Sequence, residues 1–217
     1  VQRAAIVLRE KNVPFETNHI ESDNRPDWFL AISPHKKVPV LRIDDKVSLF
    51  ESNAICEYLD ETIAPRLHPA DPVRRAINRA WTDYLPTFMT TTNAGVFAQT
   101  EAEFKAGVEK IAGPFGLLEA ALADQGEGPY FNGKDYSLVD AAYAPFMQRH
   151  FYLDKTMKLG QIQRFPRLHA WAKALVARPS THSFPEAESE AMWRGIMKRW
   201  KPTTWISQFI DEEKAAA

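Results

Sequence analysis

The sequence predicts an α/β domain followed by an all-α domain, and three features lead to this expectation. Residues 38–50 contain two short apolar runs separated by Asp44, Asp45 and Lys46, a pattern typical of a β-hairpin. Residues 64–72 carry three prolines and therefore predict a linker. Beyond the linker, apolar residues recur at helical spacing. We expect domains over residues 1–63 and 73–217, joined by this linker.

The first domain is predicted to contain a helix, a strand, a second helix, the hairpin and a third helix. The opening helix should end before Pro14, because the residue before a proline disfavours the helical conformation. We expect a strand from Pro14 to Ile20, and a later helix near residues 53–62 with Ser52 as its N-cap. This order is the thioredoxin fold without its first strand. Because the chain starts inside a helical pattern, we expect that strand and an adjoining loop to precede Val1.

The second domain is predicted to begin with two long helices. The first covers residues 73–92, and Pro86 predicts a kink in it. The second covers residues 102–124, with its middle weakened by the pair Gly113-Pro114.

A buried helix and a tail are expected to complete this domain. Ser137 and Asp140 resemble a capping box, which predicts a structural role for both at the start of a helix over residues 139–152. That helix is apolar on most sides and should be buried. A further helix begins near Phe165, and we expect the tail from Ala191 to fold back over the active-site cleft.

The composition argues against several function classes. The formal net charge of −1 disfavours an electrostatic nucleic-acid binder. There is no apolar run long enough to span a membrane. Cys56 is the single cysteine, so no internal disulfide can form, and no Cys/His spacing predicts a metal site. We therefore expect a cytoplasmic protein with no metal and no nucleic-acid or membrane partner.

The junction between the hairpin and the next helix carries the strongest binding signal. A helix N-terminus offers free N–H groups to a carboxylate, and Glu51 beside it offers an acceptor to an ammonium group. Together they could hold both charges of an amino-acid head group. Pro39, if cis, would leave the backbone of Val38 free to pair with an extended peptide. The alternative is that Ser52 only caps the helix and Glu51 is a solvated charge.

Two runs decide between these alternatives. Residues 33–41, Ser-Pro-His-Lys-Lys-Val-Pro-Val-Leu, resemble the tau-like glutathione transferases, and residues 51–61, Glu-Ser-Asn-Ala-Ile-Cys-Glu-Tyr-Leu-Asp-Glu, resemble the omega-like class. The order and spacing of the motifs also resemble the glutathione-binding half of this family. The resemblance implies a thioredoxin-like domain, an all-helical domain, and glutathione as co-substrate.

In addition to Pro39, the family's glutathione contacts carry over to five positions in this sequence. Glu51 and Ser52 match the pair that holds the γ-glutamyl group, and Val38 matches the residue whose backbone pairs with the cysteinyl part. Lys37 and Arg25 match basic positions that neutralise the glycyl carboxylate or a neighbouring charge. Omega-like members have lysine at the place of Arg25, so this position departs from their pattern.

The resemblance leaves the reaction type open. The residue that activates the thiol, a Ser, Tyr or Cys in this family, is expected on the loop before Val1. Cys56 lies inside a helix and is expected to be a small buried hydrophobe rather than a nucleophile. A hydrophobic substrate site is expected from aromatic residues that could equally belong to the core: Trp81, Tyr84, Phe88 and Trp193.

We expect a homodimeric enzyme of detoxification that conjugates or transfers glutathione to hydrophobic or oxidised small electrophiles. One alternative is a non-catalytic interaction module, because the same fold serves other functions. A second is a glutathione-dependent thiol transferase, isomerase or dehalogenase.

Overall fold

The computed structural model describes residues 1–21, 24–44, 46–200 and 203–210. The helices in these ranges are α1 Gln2–Glu10, α2 Asp27–Ile32, α3 Ser52–Thr62, α4 Pro72–Thr92, α5 Glu101–Lys110, α6 Ala112–Asp124, α7 Leu138–Met157, α8 Pro166–Ala177 and α9 Glu186–Trp200. The strands are β1 Val40–Ile43 and β2 Val47–Phe50. Short 3-10 helices cover Ile162–Arg164, Pro179–Thr181 and Trp205–Phe209. Within the described ranges, each helix is too short or too polar to cross a membrane.

The predicted hairpin is confirmed, since β1 and β2 form an antiparallel pair. Val40 pairs with Phe50, and Ile43 pairs with Val47. The chain then passes directly from β2 into α3, which packs against α1. The hairpin and its two neighbouring helices therefore form the part of the first domain that carries the predicted site.

The strand predicted from Pro14 to Ile20 is wrong, because this segment is irregular and its residues up to His19 are exposed. A strand is stabilised by a ladder of hydrogen bonds to a neighbour. Among the described residues the sheet contains β1 and β2 alone, so this segment has no ladder. The alternating sequence pattern could not supply the missing partner.

The core is continuous between the two parts of the chain, and α1 lies at its centre. Ile6 and Val7 of α1 are completely buried. They belong to the same apolar cluster as Ile55 of α3 and Met147 of α7. Because α1 packs against both helices, it fixes the position of the hairpin domain relative to the helical domain.

Helix α7 is buried nearly all round, as predicted, and Asp140 anchors its start. One carboxylate oxygen accepts hydrogen bonds from the Ser137 N–H at 2.8 Å and the Ser137 hydroxyl at 2.7 Å. The other accepts from the Phe131 N–H at 2.8 Å and from Nε1 of Trp171 at 2.7 Å. Burial raises the pKa of Asp140, and these donors act in the opposite direction. Ser137 and Asp140 are thus structural residues that join the loop before α7 to α8.

The single helix predicted over residues 102–124 is two helices, α5 and α6. The break falls at Ile111, so Gly113 and Pro114 lie in the first turn of α6, where a proline is tolerated. In the last turn of α5, Gly107 lies so close to Gly95 that a Cβ added to Gly107 would come within 2.4 Å of the Gly95 backbone nitrogen. This close approach sets how α5 packs on the loop after α4.

Asp140→Asn should destabilise the protein by roughly 3 kcal/mol, because an amide in place of the carboxylate leaves buried donors unpaired. Urea unfolding monitored by tryptophan fluorescence would measure the change in the free energy of unfolding. Asp124→Asn, at an exposed position at the end of α6, is the matched control and should have little effect. Equal stability of the two variants would contradict the anchoring role of Asp140.

Candidate functional site

A shallow cavity of about 60 Å³ lies where the hairpin meets α3. A volume this small holds one functional group rather than a whole small molecule. The structure brings five of the predicted site residues together here. Its lining consists of Ser33, His35, Lys37, Val38, Pro39, Phe50, Glu51 and Ser52.

Glu51 makes the whole connection between β2 and α3 and adopts a left-handed backbone conformation. Its φ is 64° and its ψ is 116°. A side chain other than glycine held in such a conformation costs on the order of 1–3 kcal/mol, and such residues cluster at functional sites. The turn directs the chain so that α3 begins at Ser52, at the edge of the cavity.

The predicted capping role of Ser52 is wrong, because Ser52 is the first helical residue and Glu51 occupies the N-cap position. The Ser52 hydroxyl instead accepts a hydrogen bond from Nη2 of Arg3, on α1. Arg3 therefore adds a positive charge to the positive end of the α3 dipole. An incoming carboxylate would meet the N-terminal N–H groups of α3, the Ser52 hydroxyl and this guanidinium.

The Glu51 carboxylate is exposed and faces a histidine. Nδ1 of His35 lies 3.1 Å from Oε1 of Glu51, and the two side chains are 55% and 59% exposed. The His35 ring also packs edge-on against Phe50, with ring centroids 5.2 Å apart. Glu51 is thus an accessible acceptor whose present partner is a surface side chain.

The segment before β1 presents a backbone edge. The Val38–Pro39 peptide bond is cis. Val38 is half exposed, and its N–H and C=O make no hydrogen bond to any described residue. An extended peptide could therefore pair with Val38.

Ser33 fixes the turn that leads into this edge. Its hydroxyl donates to the Lys37 carbonyl at 2.9 Å and accepts from the Lys37 N–H at 3.0 Å. Sequence reasoning missed this role of Ser33, although a serine placed to bond a nearby backbone is typical of turns. It also missed Arg3, which is far from the cavity in sequence and carries no local signal.

Arg25 and the predicted aromatic residues lie outside this cavity. Arg25 is exposed. The three aromatic residues on α4 pack side by side along the helix. The ring centroids of Trp81 and Tyr84 are 5.7 Å apart, and those of Tyr84 and Phe88 are 6.4 Å apart. Phe88 is completely buried, whereas the other two are partly buried.

Trp193 lies in a different apolar cluster from the α4 aromatics. It is 7% exposed and packs beside Tyr152 of α7, with ring centroids 5.9 Å apart. Trp193 lies on α9. The C-terminal end of α9 contacts the first domain, where Nη1 of Arg199 lies 3.6 Å from Oε2 of Glu21. The structure therefore separates Trp193 from Trp81, Tyr84 and Phe88.

Comparison with known proteins identifies the family. Residues 1–66 match the glutathione S-transferase N-terminal domain, and residues 75–179 match the C-terminal domain. Glutathione S-transferase U28 of Arabidopsis thaliana is 31% identical over 201 residues, which cover 90% of this chain and 88% of that protein. Glutathione S-transferase U19 of the same plant is 32% identical over 190 residues, covering 86% and 85% of the two chains.

Solved structures agree with this result. The tau-class glutathione S-transferase of mango, Mangifera indica, superposes with a TM-score of 0.80 at 30% identity, covering 90% of this chain and 92% of that one. Glutathione transferase Omega 3C of Trametes versicolor gives 0.75 at 28% identity, with 92% and 87% covered. Rice GST1, solved in complex with glutathione, gives 0.76 at 26% identity, with 92% of each chain covered. The chain therefore belongs to the glutathione S-transferase family, with an N-terminal thioredoxin-like domain and a helical C-terminal domain.

Proposed function

We propose that the protein transfers glutathione to hydrophobic or oxidised small electrophiles, a detoxification reaction, and that it does so in the cytoplasm. The observation that carries this proposal is the cavity in which Glu51, the N-terminus of α3 and the exposed Val38 segment meet. The rice relative, solved with glutathione, supports the choice of ligand.

The γ-glutamyl group fits the junction through both of its charges. Its carboxylate would bind at the start of α3, where Ser52 and Arg3 already form a hydrogen bond. Its ammonium would bind Glu51 in place of His35. An exposed ion pair contributes about 0–1 kcal/mol, so exchanging His35 for the ligand's ammonium costs little.

The rest of the tripeptide would extend along the Val38 edge. The cysteinyl backbone would pair with the N–H and C=O of Val38, which have no partner among the described residues, and this would put the thiol beside the cavity. The exposed Lys37 also lines the cavity and is the nearest cation for the glycyl carboxylate. Arg25 lies outside the lining, so we assign it the more distant role of attracting the glycyl end.

The electrophile would meet the helical domain at α4. Trp81 and Tyr84 are partly buried and offer aromatic surface to an apolar substrate. Phe88 is completely buried and would act by supporting Tyr84 from behind. Trp193, which packs elsewhere, would contribute only through the position of the tail.

Cys56 is not suited to act as the nucleophile. It is 5% exposed, and burial raises the pKa of its thiol to about 11. A reactive cysteine instead requires an accessible thiolate. In the proposed reaction the attacking sulfur is therefore that of glutathione.

We also propose a homodimer. Val73 and Ile77 lie one turn apart on α4 and are 66% and 42% exposed, which gives this helix an apolar outer face. Apolar patches of this kind mark protein interfaces, and twofold dimers are the commonest oligomers.

Glu51→Ala should weaken glutathione binding about tenfold or more, because the ligand's ammonium loses a charged hydrogen-bond partner. Isothermal titration calorimetry would measure the affinity. Glu109→Ala, at an exposed position on α5, is the control and should bind like the unaltered protein. Unchanged binding by Glu51→Ala would reject the placement, and tight binding without any transfer activity would favour the non-catalytic alternative.

Cys56→Ala should keep glutathione affinity and transfer activity within about twofold of the unaltered protein, because a buried thiol takes no part in the reaction. Activity is measured at saturating glutathione, and circular dichroism confirms folding. In the unaltered protein, Cys56 should react with a disulfide reagent far more slowly in the native state than after unfolding. A folded variant without activity would show that the sulfur is needed.

Light scattering at micromolar concentration should give about twice the chain mass of 24.7 kDa. Ile77→Arg should shift the protein towards the monomer, because it places a charge on the apolar face of α4. Leu117→Arg is the matched control, since Leu117 is 55% exposed on α6. A monomer mass for the unaltered protein would refute the dimer.

A further inference from the structure

His35 contacts the carboxylate that the glutathione ammonium is proposed to bind. Nδ1 of His35 lies 3.1 Å from Oε1 of Glu51, within hydrogen-bond distance. An ionised carboxylate only accepts hydrogen bonds, so Nδ1 carries a proton in this contact. The carboxylate can accept further bonds, but two cations placed beside it repel each other. A protonated His35 and the ammonium of the ligand therefore oppose each other at Glu51.

The turn before β1 and the ring of Phe50 hold His35 at this position. The Ser33 hydroxyl bonds both the N–H and the carbonyl of Lys37. The Lys36 N–H donates to the Ser33 carbonyl at 2.9 Å, which closes the turn that carries His35. The His35 ring packs edge-on against Phe50, with centroids 5.2 Å apart and an angle of 67° between the ring planes. His35 is thus positioned by contacts other than the one with the carboxylate.

The exposure of this pair sets how strongly His35 can compete. The side chains of His35 and Glu51 are 55% and 59% exposed. A ring this exposed can rotate into water without any change in the core, so a ligand can displace it. Exposed ion pairs are weak, because water screens them and their side chains lose freedom when they pair. The competition should therefore change the affinity by a modest factor and should not block binding.

The charges of the cavity lining favour His35 as its pH-sensitive group. The side chain of histidine ordinarily changes its charge between pH 5 and 8, whereas those of lysine, arginine and glutamate ordinarily do not. Lys37 and Glu51 are the other charged side chains in the described lining. Arg3 of α1 reaches the lining through its hydrogen bond to Ser52. A change of charge near neutral pH would therefore act in this cavity through His35.

We propose that His35 regulates glutathione binding by competing with the ligand's ammonium for Glu51, so that the affinity falls as the pH falls. This inference rests on the proposed placement of the γ-glutamyl group at Glu51. A neutral ring can share the carboxylate with the ammonium or turn away from it. A protonated ring pairs with the carboxylate and repels the ammonium. Because ligand and proton oppose each other, glutathione binding also releases a proton from His35.

Calorimetric titration with S-methylglutathione tests the proposal, because this ligand keeps the γ-glutamyl ammonium and has no thiol to ionise. The unaltered protein should bind it about two- to fivefold more weakly near pH 5.5 than near pH 7.5, as expected when an exposed ion pair must be broken. Near pH 6.5, titrations in buffers of different ionisation enthalpy should show that binding releases a fraction of a proton. Circular dichroism at each pH confirms that the protein is folded.

Two substitutions fix the charge at this position. His35→Phe keeps a ring against Phe50 but cannot bond Glu51, so it should bind tightly at both pH values and release no proton. His35→Lys carries a constant positive charge, so it should bind weakly at both pH values. His19→Phe is the matched control, since His19 is exposed and lies outside the cavity lining, and it should keep the pH dependence of the unaltered protein.

A second ligand separates competition from general attraction between charges. Glutaryl-S-methylcysteinylglycine is the same ligand with hydrogen in place of the amino group. It has no ammonium, so a protonated His35 should not weaken its binding at the lower pH. Attraction between the protonated ring and the carboxylates of this ligand would only strengthen its binding there.

The outcomes distinguish this proposal from the placement of glutathione. Equal affinity for S-methylglutathione at the two pH values, or an unchanged pH dependence in His35→Phe, would refute the competition. Equal weakening of the glutaryl ligand at the lower pH would also refute it. In each case the placement stands if Glu51→Ala still weakens binding. Absence of S-methylglutathione binding, or binding that Glu51→Ala leaves unchanged, would reject the placement and this proposal with it.

Discussion

The buried carboxylate of Asp140 is the interaction on which the placement of the helical domain depends. It is completely buried and bonds the loop at Phe131, the start of α7 and Trp171 of α8. A charge removed from water is tolerated only when its hydrogen-bonding capacity is filled, and here four donors fill it. The position of α7 is therefore fixed at its N-terminus.

From α7 this constraint extends through α1 to the proposed glutathione site. Helix α1 packs against α7 on one side and α3 on the other, and Ile6 and Val7 are completely buried between them. Arg3 at the start of α1 then donates to Ser52 at the start of α3. The helical domain thus supports the binding junction from behind, which explains how a cavity on the first domain depends on packing in the second.

Local patterns in the sequence predicted local structure well. The hairpin from residue 40 to 50 and the start of α7 at Ser137 and Asp140 are encoded by turn residues, apolar runs and a capping pair within a few positions. The segment over residues 14–20 has an alternating pattern too, but a strand also needs a neighbour, and no local pattern specifies one. The close approach of Gly107 to Gly95 likewise joins two segments of the chain, and no local pattern specifies it.

The candidate site also combines residues that a local pattern predicts with residues that only the folded chain brings together. Glu51 and Ser52 were predicted because an acid before a helix start is a local signal, and both line the cavity. The roles of Arg3 and His35 could not be found this way, since each meets its partner only after the chain has folded. The four aromatic residues predicted for the substrate site show most clearly what helical spacing leaves undetermined. Helical spacing shows that Trp81, Tyr84 and Phe88 share a face, but it cannot show that Trp193 packs against Tyr152.

Helix α3 is held at both of its ends. The proposed glutathione site lies at its start. Near its end, Asp60 accepts hydrogen bonds from the N–H groups of Leu67 and His68 and forms a buried ion pair with Lys11 at 3.0 Å.

With 11 residues, α3 is about 16 Å long, so separate contacts hold its two ends. Closure around a ligand would require a second arrangement of this helix that the ligand favours. Helix α3 is instead fixed by a bonded carboxylate at one end and by the Glu51 turn at the other. The arrangement favours a proposed binding site whose backbone is already in place before the ligand binds.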